Sequence, residues 1–192
     1  MIKSATTVMR FVPESEKQMF YDFTKEDSKA TTDKNEKKFL TEARISYFYG
    51  CKVLMFFIDG SPAGFIAYQQ CKDSYMNIYF VYTSPKFRGR GIQKMLINAA
   101  IEHEEPCRIY SLASTIHSII LYSKMGFKFW GETMKGELVM DHQIRKSADQ
   151  PVKALKALKK NGINKPQTIS DISSLTEDEI TDCIVRLHPD YL

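Results

Sequence analysis

Residues 81–97 read VYTSPKFRGRGIQKMLI. An apolar run stops at Pro85, Arg88 and Arg90 alternate with Gly89 and Gly91, and a helical pattern starts at once. A helix N-terminus carries unpaired N–H groups and the positive end of the helix dipole, so it stabilises an anion placed there. Glycine lets backbone approach such a ligand closely and removes side chains that would block it. The two arginines add charge. These residue types in this order suit phosphate binding. A basic strand-to-helix turn that binds nothing has the same composition, and the context that favours the phosphate is a strand before the loop and an amphipathic helix after it.

The elements around the loop must hold it in place. Thr6 to Val12 reads as a first strand ended by Pro13, and Glu14 to Phe23 as a helix with apolar residues at helical spacing. The polar segment TKEDSKATTDKNEKK has no apolar period and reads as a loop or a weak helix start. The next helix runs through Phe39, Ile45 and Phe48 and stops near Gly50. Val53 to Ile58, then Asp59-Gly60, then Phe65 to Tyr68 is a strand, a D-G turn and a strand, the signature of a hairpin, and Asn77 to Tyr82 is a further strand. Ile92, Met95, Leu96, Ala99 and Ala100 share one face of the helix that follows the loop, so that face should be buried on a sheet. Arg108 to Ala113 reads as a strand and Ile116 to Met125 as a helix closed by Gly126 in the C′ position. Phe127 to Trp130 and Glu137 to Asp141 read as the last two strands. This order predicts an α/β fold with a mixed sheet and one right-handed crossover between its central strands.

Two segments carry a resemblance to a known family. Pro85 to Gln93, PKFRGRGIQ, resembles the signature of the GNAT superfamily of acetyl-CoA-dependent acyltransferases, in which a proline precedes an Arg-x-x-Gly-x-Gly/Ala loop. LYSKMGF, Leu121 to Phe127, resembles the second signature of that family, a Leu-Tyr pair followed by a Gly-Phe pair, at the expected distance of about 30 residues. The resemblance covers residues 1 to about 142, and it implies a mainly antiparallel central sheet flanked by helices. Residues 1–142 would then be the acetyltransferase domain and 143–192 a helical C-terminal extension of two helices.

The family's roles pass to matching positions. Arg88, Gly89, Arg90, Gly91, Ile92 and Gln93 would surround the pyrophosphate of acetyl-CoA, largely through backbone N–H groups. Val81 and Thr83 would pair their backbone with the pantetheine arm where the third and fourth core strands splay apart. Thr115, at a position where the family often has asparagine, joins the cofactor-binding set, and Tyr122 would be the general acid that protonates the departing thiolate. The implied reaction is N-acetylation of a primary amine on a small molecule or protein, by direct attack in a ternary complex. No cysteine adjoins either signature, which leaves no covalent intermediate in view. Two departures favour an alternative, a CoA-binding or protein-interaction module that has lost catalysis. Gln93 stands where Gly or Ala is usual, and Met76 to Tyr82 lacks the glutamate base of many relatives. Asn77 sits near that position and cannot act as a base; Asp73, His117, His142 and Glu132 are the other candidates, and a water chain or an amine arriving deprotonated would also serve.

In relatives the acceptor lies between the first two helices and the final hairpin. Those parts hold Tyr21, Phe23, Tyr47, Tyr49, Trp130 and Met134 beside Asp22, Glu26, Asp27 and Glu132. Aromatics next to acids could hold a cationic amine, and a solvated helix surface over core aromatics would read the same. Composition narrows the classes further. A 192-residue chain that is 43% hydrophobic and 26% charged is an ordinary globular domain. It shows no bilayer-length apolar run and no secretory signal at its start, and so reads as cytoplasmic. A net charge of +4 does not require nucleic acid. Cys51, Cys71, Cys107 and Cys183 lack metal-ligand spacing and read as small reduced residues, with no metal site. In the tail, Pro151 to Asn161 and Thr176 to Leu187 read as helices, the second opened by a Thr176/Glu179 capping box. A lid, a homodimer contact and a partner-docking module are all open uses for them.

Overall fold

The computed structural model describes residues 5–45, 47, 50–71, 75–113, 115–132 and 138–144. The elements, in order, are β1 (Thr7–Phe11), α1 (Lys17–Ala30), α2 (Lys34–Arg44), β2 (Lys52–Ile58), β3 (Ser61–Cys71), β4 (Tyr75–Thr83), α3 (Ile92–Glu104), β5 (Arg108–Ala113), α4 (Ile116–Lys124), β6 (Lys128–Glu132) and β7 (Leu138–Gln143). This is a mixed α/β fold. It divides into two compact units, one running to Gln70 and resuming over Ile78–Glu105, the other made of Cys71–Asn77 and the chain from Pro106 onward.

In the first unit the strands lie in the order β1-β2-β3-β4. The β2–β3 hairpin turns on Asp59 (φ 48°) and Gly60 (φ 77°), with Ile58 paired to Ser61. Two consecutive left-handed residues match the twist of the flanking strands, which is why Asp-Gly occupies the turn. β2 is buried on both faces. Val53, Met55 and Phe57 join Phe20, Phe23, Leu40 and Ala43 in one core cluster, so α1 and α2 cover that side. Leu54, Phe56 and Ile58 are buried too, and α3 packs on β2. At the end of α3 the Glu104 carboxylate accepts from Tyr68 Oη at 2.8 Å and from Lys52 Nζ at 2.7 Å. Tyr68 is fully buried there, and its phenol is pushed well above its ordinary range, by burial first and the Glu104 hydrogen bond second.

In the second unit β7 pairs antiparallel with both β5 and β6. Arg108 and Asp141, on neighbouring strands, form a two-point ion pair at 2.5 and 2.6 Å. α4 ends in a Schellman motif: Gly126 N–H donates to Ser123 O and Phe127 N–H to Tyr122 O, both at 3.0 Å, with Gly126 at φ 86°.

Several expectations need correction. The polar segment after Phe23 is mostly helix, because α1 continues to Ala30. Thr24 is buried and its hydroxyl donates to Phe20 O at 2.9 Å, so a polar residue occupies the packed face and hides the period. α2 begins at Lys34, where Asp33 caps the N–H groups of Asn35 and Glu36, and ends at Arg44, before the expected stop near Gly50. On α3 the buried positions are Ile92, Leu96, Ile97 and Ala100, while Met95 is 37% exposed. The covered face is therefore rotated toward Ile97. Phe48, Tyr49, Asp73, Met134 and residues 145–192, with both predicted tail helices and Cys183, lie outside the described residues.

Candidate functional site

β4 leads straight into the glycine-arginine loop. Its last residues, Tyr82 and Thr83, are buried, and Pro85–Phe87 form a single tight turn before Arg88. Gly89 (φ 77°) and Gly91 (φ 72°) both adopt left-handed backbone, a conformation that costs L-residues with a Cβ but not glycine. Gly91 is the N-cap of α3, no side chain caps that terminus, and the first intrahelical bond is Met95 N–H to Gly91 O at 3.1 Å. The N–H groups of Ile92, Gln93 and Lys94 therefore have no carbonyl one turn back to receive them.

A Cβ built at Gly89 or Gly91 would meet nothing within 4 Å. The glycines are required by backbone conformation and not by the packing of the loop itself. Arg90 lies over the Phe87 ring, 5.5 Å from its centroid. Arg88 donates from Nη2 to Glu36 Oε1 at 2.6 Å and from Nε to Thr83 O at 3.4 Å. Val81 and Gln93 are half-buried, and the Thr83 hydroxyl is buried without a hydrogen-bond partner among the described residues.

An uncapped helix start behind two left-handed glycines, with a buried unpartnered hydroxyl on the strand before it, fits an elongated anionic ligand such as a pyrophosphate on an extended arm. The family comparison shows which family carries this loop. The model of the family described as "Acetyltransferase (GNAT) family" matches residues 14–127, which is more than half of the chain and includes both signatures. The chain belongs to the GNAT acetyltransferase family. Among solved structures, this GNAT chain is similar to an N-acetyltransferase from Thermoplasma acidophilum in complex with coenzyme A (14% identity, 72% of this chain and 99% of that one, TM-score 0.58). It is likewise similar to an N-acetyltransferase from Staphylococcus aureus Mu50 (18%, 73% and 99%, 0.54). A third is the ribosomal-protein-S18-alanine N-acetyltransferase from Escherichia coli (16%, 76% and 98%, 0.55). At these identities the likeness speaks to fold alone. No curated protein matches the sequence. Membership makes acetyl-CoA the cosubstrate of this family member.

The second unit carries the other expected residues. Tyr122 is 2% exposed on α4, 4.9 Å from the Phe127 ring, and burial is the main reason its phenol rises to about 12, with the neighbouring Ser111 hydroxyl working against the rise. Thr115 is the N-cap of α4 in a reciprocal capping box: its hydroxyl accepts from Ser118 N–H, and Ser118 Oγ accepts from Thr115 N–H, both at 3.1 Å. The local role of Thr115 is to start the helix that carries Tyr122.

Of the candidate bases, His142 is engaged in packing and His117 is exposed, and Asn77, near the position of the usual glutamate, is engaged as a donor. Asn77 donates to Cys71 Sγ at 3.2 Å. His142 Nδ1 lies 3.0 Å from Gly126 O and its ring stacks on Phe127 at 5.1 Å, which is a packing role. His117 is exposed on the first turn of α4. Of the aromatic set read for the acceptor, Phe23 is buried in the core beneath α1, and Tyr47 donates to Val12 O at 2.9 Å. Among the described residues no cluster could hold a metal ion and no helix is long and apolar enough to cross a membrane.

Sequence reasoning missed Glu36. Besides Arg88, its Oε1 accepts from Tyr82 Oη at 2.9 Å, and its Oε2 accepts from the Thr31 hydroxyl at 3.2 Å. Tyr82 Oη also reaches Asp27 Oδ2 at 3.1 Å. Burial and these two carboxylates push the Tyr82 phenol far above its ordinary range. The only sequence signal was the spacing of Asp33 and Glu36, which suits a capping box; nothing in it points to residues 46 and 52 positions away.

Proposed function

We propose that this chain is an N-acetyltransferase that moves the acetyl group of acetyl-CoA to a primary amine by direct attack within a ternary complex. The observation that carries the reading is the start of α3, where left-handed Gly91 leaves three N–H groups unclaimed at the positive end of the helix. Backbone N–H groups of Ile92, Gln93 and Lys94 would hold the pyrophosphate, with Arg88 and Arg90 adding charge and Gly89 and Gly91 leaving room. Val81 and Thr83 would run along the pantetheine arm.

Acetyl-CoA supplies an activated thioester carbonyl. The amine nitrogen bonds to that carbon, the carbon–sulfur bond breaks, and the departing sulfur takes up a proton while the amine gives one up. Tyr122 would serve the sulfur. With a phenol at about 12 and a thiol near 8 to 9, full proton transfer to the thiolate is uphill. Tyr122 would therefore act first as a hydrogen-bond donor that stabilises charge on sulfur as it develops, and its burial favours the neutral, proton-bearing phenol. Thr115 would support this role by capping α4.

A second reading, a CoA-binding module without turnover, draws support from the absence of a carboxylate along β4 and from the burial of Tyr122. The two are separated by calorimetry with acetyl-CoA and by thiol release with a panel of peptides, polyamines and aminoglycosides. The enzyme reading expects saturable binding with thiol release for at least one acceptor class. Binding without release across the panel supports the module, and no binding at all removes both.

A further inference from the structure

The Arg88 side chain is held at two of its three nitrogens and is still 54% exposed. A long side chain on a loop ordinarily samples many rotamers, and each polar contact it makes to a ligand must first order it. Here the ordering is done in advance by Glu36. The Glu36 carboxylate is itself fixed, 15% exposed, with Tyr82 Oη and the guanidinium on one oxygen and the Thr31 hydroxyl on the other. Tyr82 is buried in the core beneath α1 and α2, its ring 5.7 Å from Phe65 and 6.3 Å from Phe23. A chain of contacts thus runs from packed aromatic side chains through one carboxylate to the guanidinium beside the phosphate loop.

We propose that Glu36 is a positioning residue for acetyl-CoA binding: anchored by Tyr82 and Thr31, it holds Arg88 in the orientation that presents the guanidinium's remaining edge to the phosphates. The proposal rests on the assignment of the glycine-arginine loop to the pyrophosphate, and it adds a residue from α2 that touches no ligand. Two opposing effects of Glu36 decide the sign. Its negative charge lowers the attraction of the loop for an anion, whereas its hold on Arg88 removes the ordering cost. The pair is exposed enough on the arginine side for solvent to screen the first effect, so the second dominates.

The test is the affinity of the full chain for acetyl-CoA by calorimetry, for wild type, Glu36→Ala, Glu36→Gln, Arg88→Ala and the double variant Glu36→Ala/Arg88→Ala, with melting temperature followed in parallel. Glu36→Ala should weaken binding by up to about tenfold, the size of one ordered rotamer-rich side chain. Arg88→Ala should cost at least as much, and the double variant should be no weaker than Arg88→Ala alone, since the two residues act as one unit. Glu36→Gln keeps an acceptor for Arg88 and a near-identical shape, so it should retain the fold and recover part of the loss. In turnover assays the KM for acetyl-CoA should rise while kcat at saturation is kept, a split that a general loss of stability would not give. Unchanged or tighter binding by both Glu36 variants overturns the proposal, as does a double variant whose losses add. Failure of the wild type to bind acetyl-CoA would instead remove the assignment of the loop.

Discussion

Gly64 approaches Tyr82 so closely that a Cβ built on it would stand 2.5 Å from the Tyr82 main-chain oxygen, and 3.1 Å from Ile92 Cγ2. The same small residue therefore admits both the end of β4, which leads into the glycine-arginine loop, and the first residue of α3, which follows it. Ser84 N–H donates to Ala63 O at 2.9 Å beside this contact. Because the obstacle is backbone, a flexible side chain cannot relieve it by rotating. Gly64→Ala should cost about 1 to 3 kcal/mol in urea unfolding, the range for overpacking. It should also weaken acetyl-CoA binding through displacement of Thr83 and Ile92. A variant as stable as wild type would show that β3 and β4 can separate at no cost.

Where the sequence was easy to read, local chemistry and tertiary packing agreed. Arg108–Ala113 was delimited to the residue, and Asp59-Gly60 forms the turn its composition requires. The left-handed glycines and the helix start at Ile92 were legible for the same reason, since glycine and a helix start are local signals. Two of the misread positions are polar residues held by partners inside the fold. Thr24 satisfies its hydroxyl within its own helix, and Asp27 on α1 accepts from Tyr82, 55 residues later. Met95 was expected inside by spacing, but Ile97 takes the buried place, because the packed stripe of α3 is set by the sheet it meets and not by the first apolar residues in line. Glu36 could not be found at all from spacing, as its role depends on a strand and a loop distant in the chain.

Gly91 provides a sharper test of the loop. A Cβ built there meets nothing within 4 Å, but the backbone is left-handed at φ 72°. Gly91→Val combines two effects: about 1 to 3 kcal/mol of backbone strain and a branched side chain in front of the N–H groups of α3. Gly91→Asn tolerates the conformation better and keeps only the second effect. Both variants should retain the far-UV circular dichroism of the wild type and lose the thermal stabilisation given by acetyl-CoA, with Gly91→Val melting at the lower temperature. Full stabilisation of a folded Gly91→Val protein by acetyl-CoA would place the pyrophosphate elsewhere.

For Tyr122 the expected loss is in turnover. Tyr122→Phe should lower kcat by about 10² to 10⁴ and leave the affinity for acetyl-CoA nearly unchanged; an equal loss of affinity would assign the residue to packing. The pH dependence supplies an independent check. The folded phenol is raised from 10.0 to about 12, so the folded state holds the proton more tightly than the unfolded chain. That contribution to stability is complete below pH 10 and disappears as pH rises toward 12. Chemical unfolding at a series of pH values should therefore show a shallower loss of stability between pH 10 and 12 in Tyr122→Phe than in wild type. Identical slopes would mean that the buried phenol is not held neutral by its surroundings.

The last prediction separates the acetyltransferase domain from the residues beyond it. β7 continues past His142, since Gln143 pairs with Arg108 and Ile144 N–H donates to Cys107 O at 2.9 Å. A cut after His142 would remove a strand residue and expose the Arg108 end of β5, so the cut is placed after Ile144. Every residue assigned above to acetyl-CoA or to the departing sulfur precedes that point. A chain ending at Ile144 should therefore bind acetyl-CoA with wild-type affinity by calorimetry. If residues 145–192 contribute to acceptor recognition, the shortened chain should raise the KM for the true acceptor alone. Wild-type acceptor kinetics in the shortened chain would assign that segment to a separate partner, and aggregation of the shortened chain would show that the segment covers apolar surface of the domain.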